Sequence, residues 1–381
     1  MKQTYLEGVK VLDLSRILAG PFCTQNLADM GADVLKIESP KGDDTRGWGP
    51  PFQGDSAAYF QSCNRNKSSL VLNLKEAADA ARLGDLIGAA DVVVDNFPPA
   101  VRERLGVSVA NIKRLNPNAI TMNITGYGGT RCDEPGYDVM IQAESGLMGI
   151  TGPVDSEGFK VGVALVDVLT GLMASNGILA ALFRRERSGQ TDHLHITLYQ
   201  TALMSLVNVA SNTLVSGKPS RRFGNAHPNI VPYQGFSLAD RRVIIGAGND
   251  TQFKRLCALL DITEPAFTEL DNAGRVQQRE TVIARLQARL ATWTCARLFP
   301  ELRAAKIPHA PILRPDEALQ QVATWNPDAL LVLPHAELGE VRGIAPALQG
   351  CGMRENHRPP PLLGEGGETT AARWLNLPRF P

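Results

Sequence analysis

The chain has 381 residues, of which 44% are hydrophobic and 20% charged, a composition typical of a soluble globular protein and a length that suggests at least two domains. Its 39 Lys and Arg residues balance 39 Asp and Glu residues, so no basic excess indicates a nucleic-acid partner or an anionic membrane surface. Six scattered cysteines without a CxxC pair, and the lack of a signal-peptide pattern, favour a reduced, cytoplasmic protein without a metal site.

The first half of the chain alternates predicted strands and helices. Residues 8–15 predict a strand, 21–31 a helix, and 32–38 a second strand, and this alternation continues to about residue 128. Such a pattern is typical of an α/β fold with a Rossmann-like parallel sheet. The link "SRILAGPF" after the first strand has one glycine instead of GxGxxG, which argues against a nicotinamide dinucleotide site.

The second half predicts a long helix from Val166 to about Arg187, a strand at 191–198, and a further helix. A segment rich in Gly, Pro and Asn follows at 216–236, and then a smaller α/β unit. The loop-rich segment therefore predicts a boundary between a larger and a smaller domain.

Polar residues follow several of the predicted strands. Ligands of open α/β sheets bind outside the carboxyl ends of the strands, so we expect Lys75, Asn96, Phe97 and the loop at Tyr127 to lie near one another. Lysine and arginine at these ends could hold phosphates, although such residues are more often solvated surface charges.

Asp167 is the one charged residue between Lys160 and Arg184, at the start of the long predicted helix. On position alone, we interpret it as a helix cap, because Asp at a helix start accepts main-chain N–H bonds. The same place also suits an ionised carboxylate that attacks an activated acyl carbon. Position leaves both interpretations open.

Histidines and glycines offer weaker candidates. His193 and His195 could share one face of a strand, but no third metal ligand is evident, which favours a structural pair. His227 lies in an irregular loop, where it could serve chemistry or only a turn. The glycines of "GAGND" (246–250) could allow a small anion to approach the backbone closely. The sequence lacks the GxSxG turn of serine hydrolases.

Six blocks taken in order resemble one family: "GVKVLDLSRILAGPFCTQNLADMGADVLKIESPKGDDTRGWGPPF", "NRNKSSLVLNLK", "VVVDNFPPAVRERLG", "NPNAITMNITGYG", "PGYDVMIQAESGLMGITG" and "VGVALVDVLTG". They are similar to the class III CoA-transferases, which include formyl-CoA:oxalate, carnitine and succinyl-CoA-dependent dicarboxylate enzymes. The similarity runs from residue 8 to about 200 and resumes in "GNAHPNIVPYQGF", "VIIGAGNDTQF" and "IPHAPI".

The resemblance implies that Asp167 is a catalytic nucleophile. It would form an aspartyl mixed anhydride with the donor acyl group and then an aspartyl-CoA thioester, from which CoA passes to the acceptor acid. Coenzyme A is the implied co-substrate, without a metal. The positions that match the family's CoA contacts are Arg16, Ile17, Leu72, Lys75, Asn96, Phe97, Arg104 and Tyr137. Ser39 replaces an arginine of the formyl-CoA enzymes, so the adenosine end of CoA could be held differently.

The substrates are predicted from smaller differences. The oxalate-type enzymes cover their intermediate with four consecutive glycines, which this chain lacks. Its "HPNIVPYQGF" and "GAGND" segments resemble the branch that uses succinyl-CoA and small dicarboxylic acids such as glutarate. His227, Gly246 and Gly248 are therefore candidates for acid binding or for a lid.

An acyl-CoA racemase on the same fold is the alternative function. Those enzymes transfer a proton with an Asp and a His, and the block that carries their His reads "GYD" here, with Tyr137 in its place. Tyrosine is a poor base at neutral pH, which disfavours racemase chemistry. In either case the resemblance implies a homodimer of two interlocked rings. It also implies that each chain has a large domain at 1–200 plus 325–381, a linker at 201–224 and a small domain at 225–320.

Overall fold

The computed structural model describes residues 3–376. The strands, in chain order, are β1 (Lys10–Asp13), β2 (Asp33–Glu38), β3 (Phe52–Gln53), β4 (Ser56–Ala57), β5 (Lys67–Val71), β6 (Val92–Asp95), β7 (Ile120–Thr125), β8 (His193–Thr197), β9 (Tyr233–Ser237), β10 (Arg242–Gly246), β11 (His309–Pro311), β12 (Leu330–His335) and β13 (Gly339–Ile344).

The helices are α1 (Ala19–Asp29), α2 (Ala58–Ser62), α3 (Ala77–Ala89), α4 (Pro99–Arg104), α5 (Val109–Leu115), α6 (Asp138–Glu144), α7 (Leu147–Ile150), α8 (Leu165–Ser188), α9 (Leu198–Ser205), α10 (Val207–Ser216), α11 (Asp250–Leu259), α12 (Pro265–Thr268), α13 (Asn272–Gln277), α14 (Arg279–Leu290), α15 (Cys295–Ala304), α16 (Pro315–Trp325) and α17 (Gly367–Asn376).

The chain forms two compact units. The first comprises Met1–Leu147, Val161–Ser216 and Asn326–Pro381, and the second comprises Met148–Lys160 and Gly217–Trp325. Two features differ from the predicted boundaries. Residues 201–216, expected in a linker, belong to helices of the first unit, and residues 148–160 leave the first unit and join the second.

The first unit contains a six-stranded sheet in the order β5-β2-β1-β6-β7-β8, with every pair of neighbours parallel. Numbered along the chain within this sheet, the order is 3-2-1-4-5-6, the arrangement of dinucleotide-binding folds. The predicted α/β fold with a large parallel sheet is therefore confirmed. The order reverses between β1 and β6, which leaves a crevice at their carboxyl ends.

The central strands β1 and β6 pack against hydrophobic cores on both faces of the sheet. One face presents Val11 and Val92 to a core that includes Leu27 of α1 and Ile178 of α8. The other face presents Leu12 to a core that includes Trp374 of α17. Successive residues of one strand thus serve opposite cores.

The second unit has its own core around a three-stranded antiparallel sheet, β11-β10-β9. Phe236 of β9 and Val243 of β10 are fully or almost fully buried against Phe253 of α11 and Leu286 of α14. The predicted smaller α/β unit thus has an antiparallel sheet, whereas the first unit has a parallel one.

Helix α8 (Leu165–Ser188) is long and apolar enough to cross a membrane by length and composition, and within residues 3–376 it is the one helix that meets this criterion. A core helix of a soluble protein meets the same criterion, so the finding is weak. Val166, Ala174 and Ile178 of this helix lie in the core of the first unit, while several of its other apolar side chains are exposed.

Candidate active site

The turn after β1 is held at the crevice by two side chains. Asn96, directly after β6, binds both main-chain groups of Arg16: the Arg16 N–H donates to Oδ1 at 3.0 Å, and Nδ2 donates to the Arg16 carbonyl at 2.9 Å. The next N–H, that of Ile17, donates to the Asp43 carboxylate at 3.3 Å. Ile17 has a φ of 72°, a conformation that β-branched residues rarely adopt. The turn is therefore strained, as is common at functional sites.

A buried ion pair supports this turn from below. The Lys36 ammonium lies 2.9 Å from the Asp43 carboxylate and donates to the Ser15 carbonyl at 2.7 Å. Burial by itself raises the pKa of Asp43, but the Lys36 charge and the hydrogen bonds from Thr45 outweigh it and lower that pKa. Asp43 thus stays ionised and keeps its bond to Ile17.

Two adjoining cavities open at the carboxyl ends of the strands, and they share Arg16 and Pro98. The first, of about 140 Å³, is lined by residues that include Arg16, Ile17, Asn96, Tyr137 and Asp167. The second, of about 410 Å³, is lined by residues that include Arg16, Leu72, Lys75, Phe97 and Arg104. The structure therefore brings the predicted nucleophile and all eight predicted CoA-contact residues to one continuous region.

Close packing between α8 and α1 carries Asp167 to the first cavity. Gly171, one helical turn after Asp167, lies against the start of α1, where a Cβ atom would come within 2.6 Å of the Ala19 carbonyl oxygen. Residues four apart share a helix face, so the surface that contacts α1 also presents Asp167 to the crevice. A larger residue at position 171 would push the two helices apart.

The Asp167 carboxyl group is poorly solvated. Burial in the protein, and in second place the charge of Asp138, raise the pKa of Asp167 to about 7. Within residues 3–376, no hydrogen-bond donor of the protein contacts this carboxylate. A pKa near 7 leaves the ionised form accessible at neutral pH, and an ionised carboxylate with few hydrogen bonds is a good nucleophile.

The interpretation of Asp167 as a helix cap is wrong. The N-cap position of α8 is Ala164, which has no side-chain acceptor, and Asp167 lies inside the first turn. The cap comes from Asp138 of α6, whose Oδ2 accepts the N–H of Val166 at 2.8 Å and that of Asp167 at 3.2 Å. Asp138, which is distant in sequence, therefore caps α8 in place of Asp167.

The loop at Tyr127 reaches the first cavity through Gly126. The Tyr127 side chain lines neither cavity and is 4% exposed, packed against Tyr199 and covered by the Arg131 guanidinium. Tyr137 is 57% exposed at the cavity, where it precedes α6.

The remaining candidates belong to the second unit. His227 Nδ1 accepts the Asn229 N–H at 3.1 Å, and its ring packs edge-on against Tyr233. Gly246 has a packing reason to be glycine, since a Cβ there would lie 2.5 Å from the Tyr233 ring. The Gly248 N–H donates to a glutamine side chain of α11 at 2.8 Å. A role for these residues toward substrate stays a prediction.

His193 and His195 form separate contacts across to β7. His193 Nδ1 pairs with the Thr121 hydroxyl, and His195 Nε2 lies 2.9 Å from the Thr125 hydroxyl. Within residues 3–376, no group of three or more His, Cys, Asp or Glu side chains is arranged to hold a metal ion.

Sequence reasoning missed Asp138, Asp43 and Lys36. Asp138 stands next to Tyr137 in the quoted "GYD" block, which was a signal for its position but not for its bond to α8. Lys36 faces inward from β2 as a fully buried cation. A lysine inside an apolar strand requires a buried acidic partner, and that rule would have directed attention to Asp43.

A parallel sheet with a crevice at its switch point is where open α/β folds bind small molecules, and Asp167 lies at that crevice. The family model of CoA-transferase family III matches residues 6–366. The protein therefore belongs to CoA-transferase family III, and it is an enzyme that transfers CoA from a thioester.

Several known proteins are similar to almost the whole chain. A succinate–glutarate CoA-transferase of Agrobacterium fabrum is 39% identical over 94% of this chain and 93% of its own length. A succinyl-CoA:glutarate CoA-transferase of Mus musculus is 38% identical over 94% of this chain and 84% of its own. A crystal structure of a CAIB/BAIF family protein from Brucella suis is 36% identical, with a TM-score of 0.86 over 98% of this chain and all of that one.

Proposed function

We propose that this enzyme moves CoA from succinyl-CoA to a small dicarboxylic acid, with Asp167 as the nucleophile. The observation that carries the proposal is the Asp167 carboxylate at the cavity, where no donor of the described residues contacts it and burial raises its pKa to about 7. Relatives that act on succinyl-CoA and glutarate support the substrate class. They give less support to the racemase alternative, and Tyr137 replaces the histidine that this alternative needs.

The chemical cycle uses Asp167 twice. Its carboxylate attacks the donor carbonyl carbon, the carbon–sulfur bond breaks, and CoA thiolate leaves a mixed anhydride. The thiolate then attacks the Asp167 carbonyl carbon, which releases succinate and leaves an aspartyl-CoA thioester. The acceptor carboxylate repeats these steps in reverse, so that CoA departs on the new acyl group and Asp167 is regenerated. Water must stay out, because either intermediate would otherwise hydrolyse.

The second cavity suits the long CoA molecule. Lys75 and Arg104 line it and can bind phosphate groups, and Arg16 stands where the two cavities meet. Leu72 and Phe97 give apolar surface for the pantetheine arm or the adenine. CoA would then extend from the cations of the second cavity, past Arg16, and present its thioester to Asp167.

We also propose a homodimer of interlocked chains. Helices α8 to α10 of the first unit expose large apolar side chains, among them Phe183, Met204, Val207, Leu214 and Val215. A monomer rarely leaves such a surface in water, and a second copy of the chain would cover it. Mass measurement in solution tests this, and a stable monomer at micromolar concentration would contradict it. The cytoplasmic location, and function without metal, membrane or nucleic acid, stay predictions from the sequence.

The direct test is product formation. Purified enzyme is incubated with succinyl-CoA and either glutarate or oxalate, and acyl-CoA products are identified by mass spectrometry. We expect glutaryl-CoA from the wild type and none from Asp167→Asn, which keeps the side-chain shape and removes the nucleophile. Exchange of the α-proton of an acyl-CoA in deuterated water, without transfer, would instead support the racemase. Oxalyl-CoA alone would refute glutarate-like acids as the acceptor and retain the reaction class.

A further inference from the structure

The start of α8 is held by two side chains of α6. Asp138 Oδ2 accepts the main-chain N–H groups of Val166 and Asp167, at 2.8 and 3.2 Å. Gln142, one turn later in α6, accepts the Val161 N–H at 2.8 Å and donates to Asp138 Oδ1 at 2.5 Å. Both side chains are buried. One helix thus fixes the whole segment that leads into the nucleophile.

The Asp138 bonds affect the charge of Asp167 as well as its position. N–H groups at a helix start stabilise nearby carboxylates, and a carboxylate inside the first turn would normally use them. Here Asp138 occupies the N–H of Asp167 itself and that of the residue before it. Asp167 therefore faces a like charge while the donors that would stabilise its own ionised form are taken.

After burial, the charge of Asp138 has the largest effect on the pKa of Asp167. Tyr59 of α2 responds to the Asp167 charge, and its own pKa is raised to about 12, chiefly by burial, so it is neutral. Arg16, Glu134 and Tyr137 line the same cavity. Among the charged groups of residues 3–376, Asp138 is the one that raises the pKa of Asp167, in addition to the effect of burial.

We propose that Asp138 is a positioning residue that holds Asp167 at the cavity and keeps its carboxylate reactive by withholding main-chain donors and imposing a like charge. When a carboxylate attacks the thioester, it gives up the hydrogen bonds that stabilised it in the resting enzyme. A carboxylate without such bonds therefore loses less stabilising free energy in the transition state. The role of Asp138 rests on the proposed role of Asp167. Asp138 itself need not touch the substrate.

The test measures Asp167 directly, without turnover. The whole enzyme is labelled with 13C at aspartate carboxyl carbons, and Asp167→Asn identifies the Asp167 signal by its loss. We expect this signal to titrate near pH 7 in the wild type and about one pH unit or more lower in Asp138→Asn. It should stay above the ordinary aspartate value, since burial remains. An unchanged midpoint in folded Asp138→Asn would overturn the proposal.

Three further variants separate charge from structure. Asp138→Glu keeps the charge and should leave the midpoint near 7, even if Asp138→Asn does not fold. Gln142→Met loosens the same segment without a charge change and should lower the melting temperature while the midpoint stays. Asp192→Asn is a matched control. Asp192 pairs with Arg184 and lies immediately before β8, at the amino ends of the strands, whereas the cavities lie at their carboxyl ends. Equal midpoint shifts in Gln142→Met and Asp138→Asn would reduce Asp138 to a structural role.

Kinetics complete the test. If the wild type transfers CoA, the pH at which kcat/KM is half-maximal should fall in Asp138→Asn together with the NMR midpoint, and kcat should fall at least about tenfold while KM for acyl-CoA changes less. An unchanged kcat would contradict the positioning role. If the wild type transfers no CoA, the proposed function fails, while the titration still decides how Asp138 acts on Asp167.

Discussion

Asp167 should cost the folded protein stability at alkaline pH, and Asp167→Asn should remove that cost. Folding raises the pKa of this carboxyl from an ordinary 3.8 to about 7. At about 1.4 kcal/mol for each unit, an ionised Asp167 destabilises the fold by up to about 4 kcal/mol above pH 7, and partial exposure of the side chain reduces this value.

The sign follows from proton binding. Between pH 4 and pH 7 the folded state keeps a proton on Asp167 that the unfolded state has lost, so the free energy of unfolding falls as the pH rises. The asparagine variant has no such dependence. Its free energy of unfolding relative to the wild type should therefore increase by about 2–3 kcal/mol between pH 5 and pH 8. Any constant effect of the amide cancels in that comparison.

Urea unfolding of both proteins at equal concentration, at pH 5 and at pH 8, measures the difference. Asp192→Asn, which alters an exposed ion pair, is the control and should show no comparable pH-dependent change. A difference between wild type and Asp167→Asn that is the same at both pH values would refute the reasoning, because Asp167 would then titrate alike in the folded and unfolded chain.

Other predictions concern turnover and the turn after β1. Because attack needs the ionised form, kcat/KM for succinyl-CoA should rise about tenfold from pH 6 to pH 8, and a flat profile from pH 5 upward would contradict a pKa near 7 for Asp167. Asn96→Leu leaves both main-chain groups of Arg16 without their partners, so it should lower the stability measured by thermal unfolding by about 1–3 kcal/mol. It should also raise KM for acyl-CoA. An unchanged KM would show that the turn after β1 does not contribute to CoA binding. Lys75→Ala and Arg104→Ala should each raise KM for acyl-CoA with little change in kcat. Each should also weaken the dependence of KM on salt, which initial rates at two ionic strengths measure. A fall in kcat at constant KM would contradict a role of these two side chains in CoA binding.

The parallel sheet was predictable because its strands alternate with helices along the chain. That pattern also located the carboxyl ends of the strands, and so Lys75, Asn96 and Phe97. The loop at Tyr127 also lies at the cavity, but strand periodicity does not specify which residue of a loop turns inward. Gly126 lines the cavity, while the Tyr127 ring is covered by Arg131.

Asp167 shows the limit of local rules most clearly. Its position at a helix start favoured a capping role, and the resemblance to the CoA-transferases was needed to favour chemistry instead. The cap comes from Asp138, 29 residues earlier in the chain. The support of Ile17 by Asp43 crosses 26 residues and depends in turn on Lys36. Contacts of this kind arise from tertiary packing and leave no periodic signal.

Covalent modification of Asp167 is the central claim, and one measurement tests it most directly. The enzyme is mixed with succinyl-CoA without an acceptor acid, treated with hydroxylamine, digested and analysed by mass spectrometry. Hydroxylamine converts a thioester at Asp167 to a hydroxamate and releases CoA, and it converts an anhydride in the same way where it attacks the Asp167 carbonyl carbon. We predict a hydroxamate on Asp167 of the wild type, which requires succinyl-CoA and is lost in Asp167→Asn. Succinyl-CoA-dependent transfer with Asp167 unmodified, and a hydroxamate on another carboxyl group, would contradict the account.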